Sequence, residues 1–168
     1  MIEKNLRKNF LFNLSLILVI FLFDRFSKIY IIYLDKKFFG SEIFTSKFLN
    51  FHLVWNEGVA FGLLSFDQKY LYNLLTILIG AIILIIIIMI KKNSGFKKIS
   101  LILILGGALG NVFDRIIYRA VPDFIDFHVG NFHWFIFNVS DIFISIGIIL
   151  MILIEIINKP EVTNNEKN

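Results

Sequence analysis

The chain contains no cysteine, and only 18% of its 168 residues are charged. The first absence excludes disulfides, thiolate nucleophiles and cysteine-based metal sites, and it leaves redox compartment undetermined. The second excludes an ordinary soluble domain, in which about a quarter of residues are charged. No HExxH pattern for zinc and no GxSxG pattern for a serine nucleophile occurs in the sequence, and no small-x-small cleavage site follows its first apolar run.

What remains is apolar: 57% of residues are hydrophobic and the mean hydropathy is +0.77. This is the composition of an integral membrane protein, and the length suits one domain. Runs of about 20 apolar residues predict four transmembrane helices, at about 10–34, 70–90, 99–118 and 135–157, with a tail at 158–168 too polar to order. The expected fold is therefore all-α, with a small β-sheet or loop region at the outer membrane face. That region is read from residues 35–69, where Leu49, Phe51, Leu53 and Trp55 alternate with Asn50, His52, Val54 and Asn56.

Four spans put both termini on one side. Nine basic residues fall in the N-terminal segment, the loop holding Lys91, Lys92, Lys97 and Lys98, and the tail, against five in the two opposite connectors. The positive-inside rule then makes both termini cytoplasmic and turns the other connectors outward.

Polar residues interrupt these spans at one level. Asp24, Arg25 and Lys28 lie in the first, Asn111, Asp114 and Arg115 in the third, and Asn138, Asp141 and Ser145 at the start of the fourth. A charged group at membrane depth costs about 3 kcal/mol or more, so each needs a compensating partner. Asp24 and Lys28 are spaced i,i+4 and can pair; Arg25 either joins them or snorkels to the interface. Asn111, Asp114 and Arg115 share a face, as do Asn138, Asp141 and Ser145. Counted from the outer helix ends, Lys28, Asn111 and Asp141 all sit roughly 10 Å deep at 1.5 Å per residue. Gly106 and Gly110 form a small-xxx-small pair that admits a neighbouring helix.

The histidines, His52, His128 and His133, fall outside the spans, where interfacial or loop positions are expected and no metal site is predicted. Two carboxylates could instead share one proton, Asp123 after Pro122 and Asp141 at the start of the last span. The residues alone leave this open against a second reading, in which Asp123 and Asp126 cap loops and Asp141 pairs with Arg115. Intramembrane Asp, Asn and Arg also suit a small transporter or proton relay, but the inner halves of the last two spans are apolar and offer no path.

The motifs DRFSK at Asp24 to Lys28, NEGVAFG at Asn56 to Gly62, GGALGNVFDR at Gly106 to Arg115, VPDFID at Val121 to Asp126 and FNVSD at Phe137 to Asp141 occur in that order. In them the chain resembles the lipoprotein signal peptidases (signal peptidase II), intramembrane aspartic peptidases of bacteria. The resemblance implies that Asp123 and Asp141 are a catalytic dyad. It implies that Asn111, Arg115 and Asn138 position dyad and substrate, with Asp114, Asp24, Lys28, Asn56, Gly58 and Ala60 in support. It further implies cleavage of diacylglyceryl-modified prolipoproteins before the lipidated cysteine, by a monomer in the cytoplasmic membrane that meets membrane lipids and no nucleic acid, and that needs no cofactor. Ser140 and Ala120 depart from the usual pattern, which has Ala and Gly there.

Overall fold

In the computed structural model, which describes residues 2–58 and 68–158, four helices stand in a bundle with one antiparallel sheet at one end. The helices are α1 (Ile2–Lys37), α2 (Gln68–Lys92), α3 (Gly95–Tyr118) and α4 (Val139–Ile157). All four are long and apolar enough to cross a membrane. Their outward faces carry exposed Phe, Leu and Ile, among them Phe10, Leu18, Leu74, Ile77, Ile149 and Ile152. Such a surface is costly in water and is satisfied in lipid.

Helix α3 packs against each of the other three. Its glycines explain how close the neighbours come. A Cβ on Gly107 would lie 2.4 Å from the Ser140 carbonyl oxygen of α4, one on Gly106 would lie 2.9 Å from Ile20 of α1, and one on Gly110 would lie 2.3 Å from Ser140 Oγ and 2.6 Å from Asp24 Oδ2. The expected small-residue approach is thus real, and it serves two helices at once. Gly147 on α4 answers from the other side, where a Cβ would lie 2.7 Å from the Ser100 carbonyl oxygen.

The sheet has the order β1 (Phe44–Thr45), β2 (Leu49–Asn56), β3 (Val121–Val129), β4 (Phe132–Phe137), all antiparallel. The strand read from the alternation at 49–56 is present as β2. The connector between the third and fourth spans, for which the sequence reading assigned no strands, is the hairpin β3–β4, turning at Gly130 with φ +61°. The last three residues of β4, Phe135 to Phe137, fall inside the expected fourth span because they are as apolar as the helix that follows. Helix α4 accordingly begins at Val139 and not at 135, because Phe135, Ile136 and Phe137 pair with β3 or end that strand. The first helix is longer than expected, running to Lys37, and the expected disorder of the tail beyond 158 lies outside the described residues.

The sheet end receives the C-termini of α1 and α3 and the N-termini of α2 and α4, while Lys91, Lys92, Lys97 and Lys98 gather at the other end. There Lys97 pairs with Glu155. Exposed aromatics cluster at the sheet, including Trp55, Phe132, Trp134 and Phe135, as befits a surface at the level of lipid headgroups.

Candidate active site

The site starts from a helix cap. Asn138 precedes α4 in extended conformation, and its side-chain oxygen accepts from the Asp141 backbone N–H (3.2 Å), while Asp141 Oδ2 accepts from the Asn138 N–H (3.1 Å). This is a capping box, and it pins Asp141 at the mouth of the helix, where unpaired N–H groups favour negative charge. Asp141 is therefore at the tip of α4 and not six residues into it, as the expected span boundary had implied. The convergence in depth survives this correction, because the contacts themselves join the three segments.

Asn138 also reaches the other carboxylate. Its Nδ2 donates to Asp123 Oδ1 at 2.6 Å, so one fully buried amide holds both aspartates. Asp123 comes from β3, opposite Val54 in the ladder, and its Oδ2 accepts from Asn56 Nδ2 at 2.9 Å. Asn56 is itself fixed by the Gly58 N–H, which donates to its Oδ1 at 2.7 Å in a tight turn. Gly58 has φ +78°, a conformation other residues rarely take, and a Cβ there would lie 2.8 Å from Leu75. Asn111 Nδ2 completes the set by donating to Asp141 Oδ1 at 2.8 Å.

Burial raises the Asp123 carboxyl above the ordinary aspartate range; the amide donors Asn138 and Asn56 oppose this, the Asp141 charge adds to it, and Lys28 opposes it weakly. A carboxyl so placed keeps its proton to a higher pH than a surface aspartate.

Beneath the two acids lies a closed charge network. Lys28 Nζ donates to Asp24 Oδ1 (2.9 Å), Asn111 Oδ1 (2.9 Å) and Asp114 Oδ2 (2.7 Å), which exhausts its three protons. Arg25 bridges Asp24 and Asp114 and stacks over Phe113 at 5.0 Å; it is buried, so the snorkelling alternative is set aside. Two acids and two bases cancel, and Asp24 Oδ1 further accepts the Ser140 N–H at 3.0 Å, tying the network to α4. Among the described residues Asp141 is bonded to Asn111 and Asn138 and not to Arg115, which removes the alternative pairing. Arg115 Nη1 donates to the Asn111 carbonyl at 3.4 Å, its Nε is buried without a partner among the described residues, and its own carbonyl accepts from Tyr72 Oη at 2.9 Å.

Asp123, Asp141, Asn111, Asn138, Asn56, Gly58, Lys28, Asp24, Asp114 and Arg115 thus form one connected assembly. Ala60 lies outside the described residues. Asp126 is turned elsewhere, bonding Asn50 and His133. Sequence reasoning missed the walls of the site. Both aspartates open on a cleft of about 590 Å³ between β4 and α4, lined by Trp134, Phe135, Phe137, Ile142, Ser145 and Ile146. The signal available for it was the alternation of residues 132–137. Ser145 had been placed on the Asp141 face, and it is found there.

Two acids facing a cleft, one of them inclined to hold a proton, can activate water and polarise a carbonyl. Comparison with known proteins bears on what that cleft handles. The family model for "Signal peptidase (SPase) II" matches residues 16–157. The chain is 52% identical over 161 residues to the lipoprotein signal peptidase of Pelagibacter ubique (strain HTCC1062), covering 96% of each chain. It is 41% identical over 164 residues to that of Aquifex aeolicus (strain VF5), again covering 96% of each. Its fold superposes with a TM-score of 0.70 on a solved "Bacterial membrane enzyme structure by the in meso method at 2.3 A resolution", at 26% identity, covering 93% of this chain and 94% of that one.

Proposed function

We propose, for a chain that belongs to the signal peptidase II family and is a multi-pass membrane protease, an aspartic mechanism in which Asp123 and Asp141 act on one water molecule. Asp141, held at the α4 N-terminus, takes a proton from water, and Asp123 gives its proton to the scissile carbonyl oxygen. The product of attack is a tetrahedral diol with no acyl-enzyme, which collapses as a proton passes to the leaving amine. Asn111 and Asn138 orient the two acids from below. The dyad reading rests on one observation above the rest: a single buried residue, Asn138, donates to both carboxyl groups beside the cleft, its side-chain Nδ2 to Asp123 Oδ1 and its backbone N–H to Asp141 Oδ2.

The substrate is a prolipoprotein whose cysteine carries a diacylglyceryl group, cut on the N-terminal side of that cysteine. The apolar cleft walls suit acyl chains and an apolar signal segment, and the lipid would hold the scissile bond near the sheet end of the bundle. The basic residues at the opposite end support, by the positive-inside rule, a cytoplasmic position for that end and a site that faces outward across the cytoplasmic membrane. The protein acts as a monomer within membrane lipid, without a cofactor in the chemistry.

The test is cleavage of a synthetic diacylglyceryl-modified precursor peptide by the purified protein in detergent, read by mass. A single cut before the modified cysteine is expected, with the unmodified peptide spared. Equal cleavage of both peptides, or of neither, would overturn this reading.

A further inference from the structure

The hairpin that carries Asp123 holds a second set of polar groups that the proteolytic reading leaves unused. Asp126, His128 and His133 each offer a donor atom, and these atoms all lie within 4.8 Å of one another. His128 and His133 are direct cross-strand partners on β3 and β4, their rings stacked with centroids 5.0 Å apart and planes 19° from parallel. Asp126 is buried, yet both its oxygens face His133 Nδ1, at 3.0 and 2.9 Å. Asn50 Nδ2 approaches the same carboxylate at 3.4 Å from β2 and fixes its orientation. Independently of these contacts, His128 Nδ1 is buried with no hydrogen-bond partner among the described residues, and a buried polar nitrogen left so is unfavourable.

The geometry points to a divalent transition-metal site formed by Asp126, His128 and His133, separate from the dyad. Two imidazoles and one carboxylate are a donor set suited to zinc and its neighbours, with a fourth position open to water. Bonds of about 2.0–2.1 Å in a tetrahedron put ligand atoms roughly 3.3 Å apart. The His133 to Asp126 separation already lies near that value, and rotation of the half-buried His128 ring closes the third edge. An ion there takes the place of the hydrogen between His133 Nδ1 and the Asp126 carboxylate and gives the His128 ring a partner. Because His133 directly precedes Trp134 and Phe135 in the cleft wall, the ion pins the β3–β4 hairpin that shapes the cleft. The chain has no HExxH helix; these ligands come from facing strands, which a helical motif search does not see.

The experiment is a calorimetric titration of chelator-stripped, purified full-length protein in detergent with zinc chloride. One equivalent is expected to bind wild type, with at least a ten-fold loss of affinity in His128→Asn and in His133→Asn. The double variant Asp123→Asn, Asp141→Asn should still bind one equivalent, which separates this site from the dyad. Absence of stoichiometric binding to wild type, unchanged affinity in both histidine variants, or loss of binding in the double aspartate variant would overturn the proposal. Cobalt(II) added to wild type gives a readout that needs no variant folding: a visible d–d band of tetrahedral nitrogen and oxygen coordination supports the site, and a spectrum unchanged from cobalt in buffer refutes it.

Discussion

At the scale of single residues, Asp123 sets the pH response. Its carboxyl is raised mainly by burial and held back by the amide donors of Asn138 and Asn56. A raised acid favours the protonated form in the folded state, so its contribution to stability is greatest at low pH. That contribution declines as pH climbs from the unfolded value, about 3.9, to the raised folded one. In the proposed mechanism the same proton is the one offered to the substrate carbonyl. Asn56→Ala removes a donor to the ionised form, so Asp123 should titrate higher still, and the alkaline limb of kcat/KM should move to higher pH. Profiles of wild type and Asn56→Ala measured side by side check this; a limb that moves to lower pH contradicts the assigned proton donor. Ser140, one of the two departures from the pattern that the resemblance implies, has an Oγ that is buried without a partner among the described residues, beside Gly110, a local cost the Ser140 N–H bond to Asp24 offsets only at the backbone.

At the scale of elements, α1 is locked to α3 by the neutral network of Asp24, Arg25, Lys28 and Asp114. Removing one partner from such a set leaves an uncompensated buried charge and costs about 3–5 kcal/mol. Lys28→Met should therefore cut the yield of folded protein severely while turnover per folded molecule falls less, as measured by size-exclusion recovery and active-fraction kinetics. Full yield with abolished turnover would give Lys28 a direct part in the chemistry. Much of this was legible beforehand, since Asp24 and Lys28 are spaced to pair and the alternation of Leu49, Phe51, Leu53 and Trp55 marked β2. Arg25 was not, because one apolar helix cannot show which face meets a neighbour, and its partner Asp114 lies 89 positions away. The β3–β4 hairpin was hidden for another reason: Phe135 to Phe137 are as apolar as the body of α4 and are parted from it only by the short polar stretch Asn138 to Asp141. Only the cap, Asn138 with Asp141 three residues on, marks where strand ends and helix begins.

At the scale of the whole molecule, four helix ends and the sheet meet at one end of the bundle, and the dyad, its amides and the cleft lie there together. If the lysines at the other end face the cytoplasm, as the positive-inside rule predicts, a reporter fused after Asn168 should be active only in the cytoplasm; periplasmic activity would invert the site. The proteolytic claim itself rests on the pair of acids acting as a unit. Its most direct measurement is the cleavage rate of a diacylglyceryl-modified precursor by purified Asp123→Asn, Asp141→Asn and the double variant, each shown to be folded and to bind the precursor. The account predicts that each single substitution lowers kcat by several orders of magnitude and that the double variant is little worse than either, since two residues acting together leave little for the second change to remove. Near wild-type cleavage by either folded single variant would contradict it.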